Sequence, residues 1–289
     1  MNDFDESTSD RPDEAQGLLG HYLRRWREAA GLTPAAAGRR LDCSASKISR
    51  IERGRSGVKD DDLDRLLTTY AVNDPKHRQT VSELAVRLNT PQWWDEYADV
   101  LESWFRSYLV LESMVELIRT YEARFIPGLL QTQAYAEAVV RRHHRDDQLV
   151  RRRVELRGRR QRALLEGGRP HLWAVIDRAA LDQAALPGGV AGPAVMREQI
   201  DFLAAVVEQS NVVIQILPPG AGGAAGVDTS FSLLRLKSLS DVAYVEHVSD
   251  ALFLDQPDRT DRYAMAMARL SILAGRPSDA VAALRNIAF

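Results

Sequence analysis

A short segment between Ser44 and Gly54 carries side chains that could form hydrogen bonds with an anion or with the edges of nucleic-acid bases. Within its sequence, SASKISRIERG, Ile48 and Ile51 are three residues apart, so a helix would turn both toward a core. The outward positions then hold small, polar or cationic residues: Ala45, Ser46, Lys47, Ser49 and Arg50. The major groove of DNA, about 12 Å wide, admits one such helix, and the first side chains of the helix meet base edges. The alternative is an ordinary solvated helix, which outward polar residues alone would also favour.

The preceding residues predict the helices that would position this segment. Apolar residues at spacings of three and four form a stripe on a first helix that ends near Gly31: Leu18, Leu19, Tyr22, Leu23 and Trp26. Thr33 followed by proline is typical of a helix start and predicts a second helix through Leu41. After a tight turn, Ser44 caps the third helix, which Gly54 ends. Further helices are predicted around an apolar set and a first-turn proline: Leu63, Leu66, Leu67, Tyr70 and Pro75.

Charge separates this helical region from the rest of the chain. Residues 18–59 contain ten Lys or Arg and three acids, a net charge of +7, whereas the 289-residue chain has a formal net charge of −2. The remainder therefore carries −9. A basic module joined to an acidic remainder indicates that the first part binds an anionic partner. A second basic stretch, residues 141–162, is either another nucleic-acid surface or a helix face exposed to solvent or a protein.

The predicted secondary structure changes from helices to strands near Pro170. Residues 91–165 are predicted to be helical. Four short runs rich in β-branched residues then predict strands: HLWAVIDR (171–178), VVIQILP (212–218), FSLLRLK (231–237) and VAYVEHV (242–248). A helical stretch at 196–209 would connect the first two as a crossover, and helices return at about 259–274 and 277–286. We predict an all-α N-terminal domain followed by a larger mixed α/β domain with a small sheet.

Acidic and histidine residues near the predicted strand ends form no recognised catalytic motif. They are Asp177, Glu246, His247 and Asp250. Sites in α/β domains form at such ends, yet the chain lacks the G-x-S-x-G, phosphate-loop and H-E-x-x-H motifs. We therefore expect no enzyme activity, no catalytic residues and no cofactor. The single cysteine, Cys43, excludes an internal disulfide and a Cys-based zinc site, and we expect no metal site.

One segment of this chain, GLTPAAAGRRLDCSASKISRIERG, resembles the helix-turn-helix of the xenobiotic-response-element (XRE) family of phage-repressor-like regulators. The likeness covers roughly residues 18–73. It implies DNA binding, with base contacts from the start of the third helix and from one later position: Ser44, Ala45, Ser46, Lys47 and Arg50. It also implies that Arg27 and Glu52 bridge the first and third helices. Pro34 stands where many relatives carry a phosphate-binding glutamine, so we assign phosphate contacts to other polar and basic residues: Thr33, Arg39, Arg53, Arg55 and Lys59.

Five strings in the second region look like the large C-terminal domain of actinobacterial antitoxin-like regulators. They are YEARFIPGLLQTQAYAEAVV (121–140), VIDRAAL (175–181), MREQIDFL (196–203), VVIQILP (212–218) and VAYVEH (242–247). The resemblance implies a DNA-binding regulator, often encoded beside a small partner protein. We expect the first of three candidate functions, and the other two are alternatives. The three are a transcription regulator that senses a partner protein or a small-molecule effector, an antitoxin that neutralises a small partner and autoregulates, and an enzyme with an appended DNA-binding module.

These patterns predict a chain of three parts. Residues 1–13 form a disordered acidic tail, 14–87 a helix-turn-helix DNA-binding domain, and 88–289 a regulatory and dimerisation domain. One recognition helix contacts only a few base pairs, so we expect a homodimer on double-stranded DNA. No apolar run is long enough to cross a membrane, and the acidic start is unlike a secretory signal. We expect a cytoplasmic, nucleoid-associated protein with no membrane partner.

Overall fold

The computed structural model describes residues 14–168, 170–182, 190–247 and 249–287. The predicted disordered tail, residues 1–13, lies outside the described residues. The chain divides into two compact units, the first built mainly from residues up to 95 and from 102–114, the second mainly from 115–236 and from 240 onward. The first unit is helical and the second is mixed α/β, which confirms the predicted fold class.

The described part of the first unit contains six α-helices, whose ends follow from local chemistry. Side-chain oxygens of Thr33, Ser44 and Asp74 accept hydrogen bonds from first-turn backbone N–H groups and so cap the second, third and fifth helices. Gly31 and Gly54 have φ of 69° and 66°, the left-handed conformation that ends a helix. The helices are α1 (Glu14–Ala29), α2 (Pro34–Arg40), α3 (Ala45–Glu52), α4 (Asp60–Thr69), α5 (Pro75–Asn89) and α6 (Ser103–Glu112).

The apolar faces of these helices share one core. Its fully buried side chains include Leu23, Ile48, Leu63, Leu67 and Leu84. Helix α1 contacts α3, α4, α5 and α6, so it is the central element of the first unit. Helix α6 belongs to this unit, although the sequence analysis assigns its residues to the C-terminal domain.

The second unit is built on a six-stranded sheet with the strand order β3-β2-β1-β4-β5-β6. Strands β3, β2 and β1 are parallel, and β4, β5 and β6 continue the sheet with antiparallel pairing. The strands are β1 (Val115–Glu122), β2 (His171–Asp177), β3 (Val212–Leu217), β4 (Phe231–Leu236), β5 (Val242–Glu246) and β6 (Ala251–Leu254). Residues 193–206 form a helix between the parallel strands β2 and β3, which confirms the predicted crossover.

Strand β1 corrects the prediction that residues 91–165 are helical. Val115 and Ile118 are three residues apart, a spacing that favours a helix when it is judged locally. The strand forms because it pairs on both sides. Ile118 lies opposite Leu172 of β2 and opposite Leu234 of β4, both distant in sequence. Such pairing leaves no signal in the local pattern, so the central strand of the sheet was missed.

The helices of the second unit pack around this sheet. One of them, residues 257–273, contacts β1, β3, β4 and β5 over a core that includes Tyr121, Leu233 and Met267. Within the described residues, no helix is both long and apolar enough to cross a bilayer. The helices are α7 (Gln133–Arg141), α8 (Asp147–Gly167), α9 (Arg178–Leu181), α10 (Pro193–Val206), α11 (Ala221–Ala224), α12 (Pro257–Leu273) and α13 (Ala280–Arg285).

Glu122, the last residue of β1, is an acid in a desolvated position. Successive strand residues point to opposite faces, so Glu122 lies on the face opposite to Tyr121. Burial raises the pKa of Glu122 to about 7, although a hydrogen bond with Ser230 lowers it, and the nearby carboxylate of Glu246 raises it further. The protonated form of Glu122 is therefore favoured by folding.

We expect Glu122→Gln to stabilise the second unit at pH 8 and to change little at pH 5. Because the pKa of Glu122 is higher in the folded chain than its ordinary value of 4.5, protonated Glu122 adds to the free energy of unfolding. This contribution is fully present below pH 4.5 and is lost as the pH rises through about 7. The loss is about 3 kcal/mol at most, and glutamine avoids it because it carries no charge. Urea unfolding at both pH values measures the effect, with exposed Glu208→Gln as the control. A Glu122→Gln effect that does not change with pH would contradict this assignment.

Candidate nucleic-acid interface

Two glycines let α3 and the turn before it lie directly against neighbouring backbone. A Cβ added at Gly20 of α1 would lie 2.6 Å from the carbonyl oxygens of Ile51 and Glu52. A Cβ added at Gly38 of α2 would lie 2.6 Å from the carbonyl oxygen of Cys43. Real Cβ atoms do not approach backbone oxygen so closely, so both positions require glycine at these helix separations. Backbone contact therefore sets the distance between α1 and the end of α3, and the distance between α2 and the turn before α3.

A buried ion pair joins the last turn of α3 to α1. Arg27 Nε donates to Glu52 Oε1 at 2.7 Å, and Arg27 Nη2 donates to Glu52 Oε2 at 2.9 Å. The two residues are 5% and 8% exposed. Arg27 Nη1 also donates to the carbonyl oxygen of Leu32 at 2.6 Å, and the Tyr70 hydroxyl donates to Glu52 Oε1 at 3.5 Å. The hydrogen bond with Glu52 raises the pKa of Arg27, so the guanidinium stays charged at neutral pH.

The N-cap and the outward face of α3 present most of the predicted base-contacting residues to solvent. Ser44, Ser46 and Arg50 are exposed, and Ala45 is half-buried. The Ser44 hydroxyl oxygen accepts from the backbone N–H of Lys47 at 3.1 Å, which fixes the first turn of the helix. Among the described residues, Arg50 has no ion-pair partner, so its guanidinium is available to another molecule.

Lys47 differs from the other predicted base contacts. Its ammonium Nζ pairs with Asp62 Oδ2 of α4 at 2.7 Å, and the two side chains are 43% and 33% exposed. The hydrogen bond from Lys47 lowers the pKa of Asp62. The sequence analysis places Lys47 on the outward face, but the structure turns its ammonium toward α4. The sequence does not single out Asp62 as the partner, because three consecutive acids, Asp60–Asp62, lie in the first turn of α4, where negative side chains are generally favourable.

The residues predicted to contact phosphate are all exposed. Thr33 also caps α2, because its hydroxyl oxygen accepts from the backbone N–H of Ala36 at 3.1 Å. In the part of the chain that the structure describes, the four basic members form no ion pair, so their charges are not neutralised internally. The set consists of Thr33, Arg39, Arg53, Arg55 and Lys59.

The basic stretch 141–162 is different, because several of its arginines pair with acids inside the second unit. Arg141 pairs with Asp147 at 2.8 Å, and Arg152 pairs with Asp99 at 2.7 Å. These pairs explain part of the arginine content of residues 141–162 without an external anion.

The acidic residues at the strand ends of the second unit also have structural partners. Asp177 caps α9 and accepts a hydrogen bond from the Tyr121 hydroxyl at 3.4 Å. Glu246 accepts from the Tyr244 hydroxyl at 3.0 Å. The backbone N–H of His247 donates to a carbonyl oxygen three residues later at 2.8 Å. Each of these contacts stabilises the edge of the sheet or the segment that follows it.

Two family models match this chain. Residues 18–92 match a helix-turn-helix domain, and residues 105–286, more than half of the chain, match a domain of unknown function, DUF5753. The chain belongs to the DUF5753 family. No curated protein and no solved structure matches it. In this DUF5753 protein the helix-turn-helix match covers α1 to α5, which supports DNA binding by the first unit and a role in transcription regulation.

We expect Gly20→Ala to destabilise the first unit, because the added methyl group must displace the end of α3. Such overpacking typically costs about 1–3 kcal/mol. Gly17→Ala is the matched control on the same helix, since an added Cβ there meets no atom within 4 Å. Alanine favours a helix over glycine by about 1 kcal/mol, so the control should melt at or above the wild-type temperature. Equal melting temperatures for the two variants would show that α1 and α3 are not held this closely.

Proposed function

We propose that this protein is a sequence-specific transcription regulator that binds double-stranded DNA as a homodimer. The observation that carries the proposal is the face of α3 and its cap that exposes Ser44, Ser46 and Arg50. The buried Arg27–Glu52 pair holds the helix in place at its C-terminal end. Rigid support on one side and small polar residues on the other suit a helix that enters a major groove. The net charge of +7 over residues 18–59 provides attraction to phosphate.

In this proposal the contacts divide into two classes. Short side chains of the first turn and one arginine reach base edges: Ser44, Ala45, Ser46 and Arg50. The exposed residues of α2 and of the segment between α3 and α4 bind phosphate: Thr33, Arg39, Arg53, Arg55 and Lys59. Base contacts determine sequence preference, whereas phosphate contacts position the domain and add affinity for any sequence.

We expect Arg50→Ala to weaken binding to the preferred site by roughly 1–3 kcal/mol and to relax the preference at one base pair, where guanine O6 and N7 are the natural partners. Arg53→Ala is the matched control, because loss of a phosphate contact should weaken all DNA alike. The preferred site is first selected from random duplexes, and affinities for selected and random DNA are then compared. If Arg50→Ala weakens both equally, Arg50 contacts phosphate and does not read a base.

We propose that the second unit provides the dimer interface. Exposed apolar side chains lie on α12 and β6, among them Met265, Ile272 and Leu252 at 56%, 80% and 45% exposure. Strand β6 is at the edge of the sheet, where backbone groups are available to a second chain. Two copies would present two α3 helices about 34–36 Å apart, one helical turn of DNA, and so read two inverted half-sites.

We expect Ile272→Glu to convert the dimer to a monomer. Affinity for DNA with two inverted half-sites should then fall sharply, because each monomer binds its half-site independently. Val86→Glu is the control, since Val86 is also apolar and 43% exposed but lies on α5 of the first unit. Analytical ultracentrifugation of the full-length chain at micromolar concentration measures the state. A wild-type monomer, both free and on DNA, would overturn the dimer proposal.

The likeness of residues 121–140 to antitoxin-like regulators supports a second candidate function. In it, the second unit neutralises a small partner protein, and DNA binding serves autoregulation. Either role gives the second unit a partner protein or an effector to bind. A small protein that co-purifies stoichiometrically with the full-length chain from its natural cell would favour the second candidate.

A further inference from the structure

The first turn of α3 carries one long cationic side chain, and that side chain is held by α4. Lys47 Nζ lies 2.7 Å from Asp62 Oδ2, and both side chains are half-buried. The neighbouring exposed positions, Ser44 and Ser46, are short. One turn later, Arg50 is exposed and has no ion-pair partner among the described residues. The base-facing end of α3 therefore has short side chains and a restrained ammonium group.

An unrestrained lysine at this position would act differently. Its ammonium is a point charge on a flexible stem, and it would bind whichever phosphate comes within reach. Each phosphate that a protein neutralises steepens the fall of log K with log salt by about 0.9, and this attraction is independent of sequence. A free Lys47 would thus add affinity for all DNA and lower the discrimination between sites.

We propose that Asp62 is a specificity-determining positioning residue, which holds the Lys47 ammonium away from the DNA backbone. The inference rests on the proposed DNA binding by α3. Under it, sequence preference comes from the short residues of the first turn and from Arg50. Asp62 contacts no DNA itself and acts only through Lys47.

The test compares Asp62→Asn with Asp61→Asn in the full-length chain. Asp61 is an exposed neighbour in the same first turn of α4, so both variants remove one negative charge from the same place. We expect Asp62→Asn to bind random duplex DNA more tightly and to lose about threefold to fourfold more affinity than wild type between 50 and 200 mM salt. Its ratio of selected-site to random affinity should fall. Asp61→Asn should keep the wild-type salt slope and ratio.

Lys47→Met provides an independent readout. With Asp62 present, Lys47→Met should keep the wild-type salt slope, because the ammonium makes no phosphate contact. In the Lys47→Met background, Asp62→Asn should match Asp61→Asn. Thermal melting verifies that each variant is folded, and the Lys47→Met slope tests the inference even if Asp62→Asn does not fold.

Three results separate the possible failures. If Asp62→Asn and Asp61→Asn have the same salt slope and the same ratio, the restraint has no effect on recognition. If Asp62→Asn weakens selected-site binding, or Lys47→Met flattens the wild-type slope, Asp62 presents Lys47 to DNA, which overturns the inference. If the wild-type chain binds no duplex DNA, the proposed function itself fails, and this is seen before any variant is measured.

Discussion

The buried Arg27–Glu52 ion pair is the constraint on which the arrangement of the first unit depends. A planar guanidinium that makes two parallel hydrogen bonds to a carboxylate fixes both distance and orientation. Loss of either partner would leave the other charge buried, which typically costs about 3–5 kcal/mol. The pair also joins the carbonyl of Leu32 and the hydroxyl of Tyr70, so α1, α3 and the segments after α1 and α4 are tied to one point.

This restraint acts at one end of α3 and leaves the other end exposed. The second ion pair of the helix, Lys47 with Asp62, is half-exposed, and pairs of that kind contribute about 0–1 kcal/mol. The two pairs therefore differ in what they can determine. The buried pair fixes where α3 lies, whereas the exposed pair adds little stability and instead decides where one positive charge is placed. Because this pair contributes so little to stability, a substitution at Lys47 or Asp62 can move or remove the positive charge without unfolding the domain.

The sequence predicts those parts of the structure that depend on residues close together in the chain. The caps Thr33 and Ser44 and the inward pair Ile48 and Ile51 are each recognisable within a few residues, and so the exposed face of α3 could be deduced. Strand β1 and the partner of Lys47 have no local cause. The strand is determined by pairing with two distant strands, and Asp62 is one of three consecutive acids that no sequence pattern distinguishes.

The net charge of +7 over residues 18–59, and not the formal net charge of −2 of the whole chain, determines the electrostatic attraction to DNA. Exposed charges separated by more than a Debye length of about 8–10 Å are largely screened at physiological salt. Carboxylates that lie beyond this distance from α2 and α3 therefore cancel little of the field near the basic residues of these helices. Arginines of the second unit such as Arg152 are compensated by nearby carboxylates, whereas the exposed basic residues near α3 form no ion pair among the described residues: Arg39, Arg50, Arg53, Arg55 and Lys59. Attraction to phosphate is consequently concentrated in the first unit, the part of the chain that the helix-turn-helix domain matches.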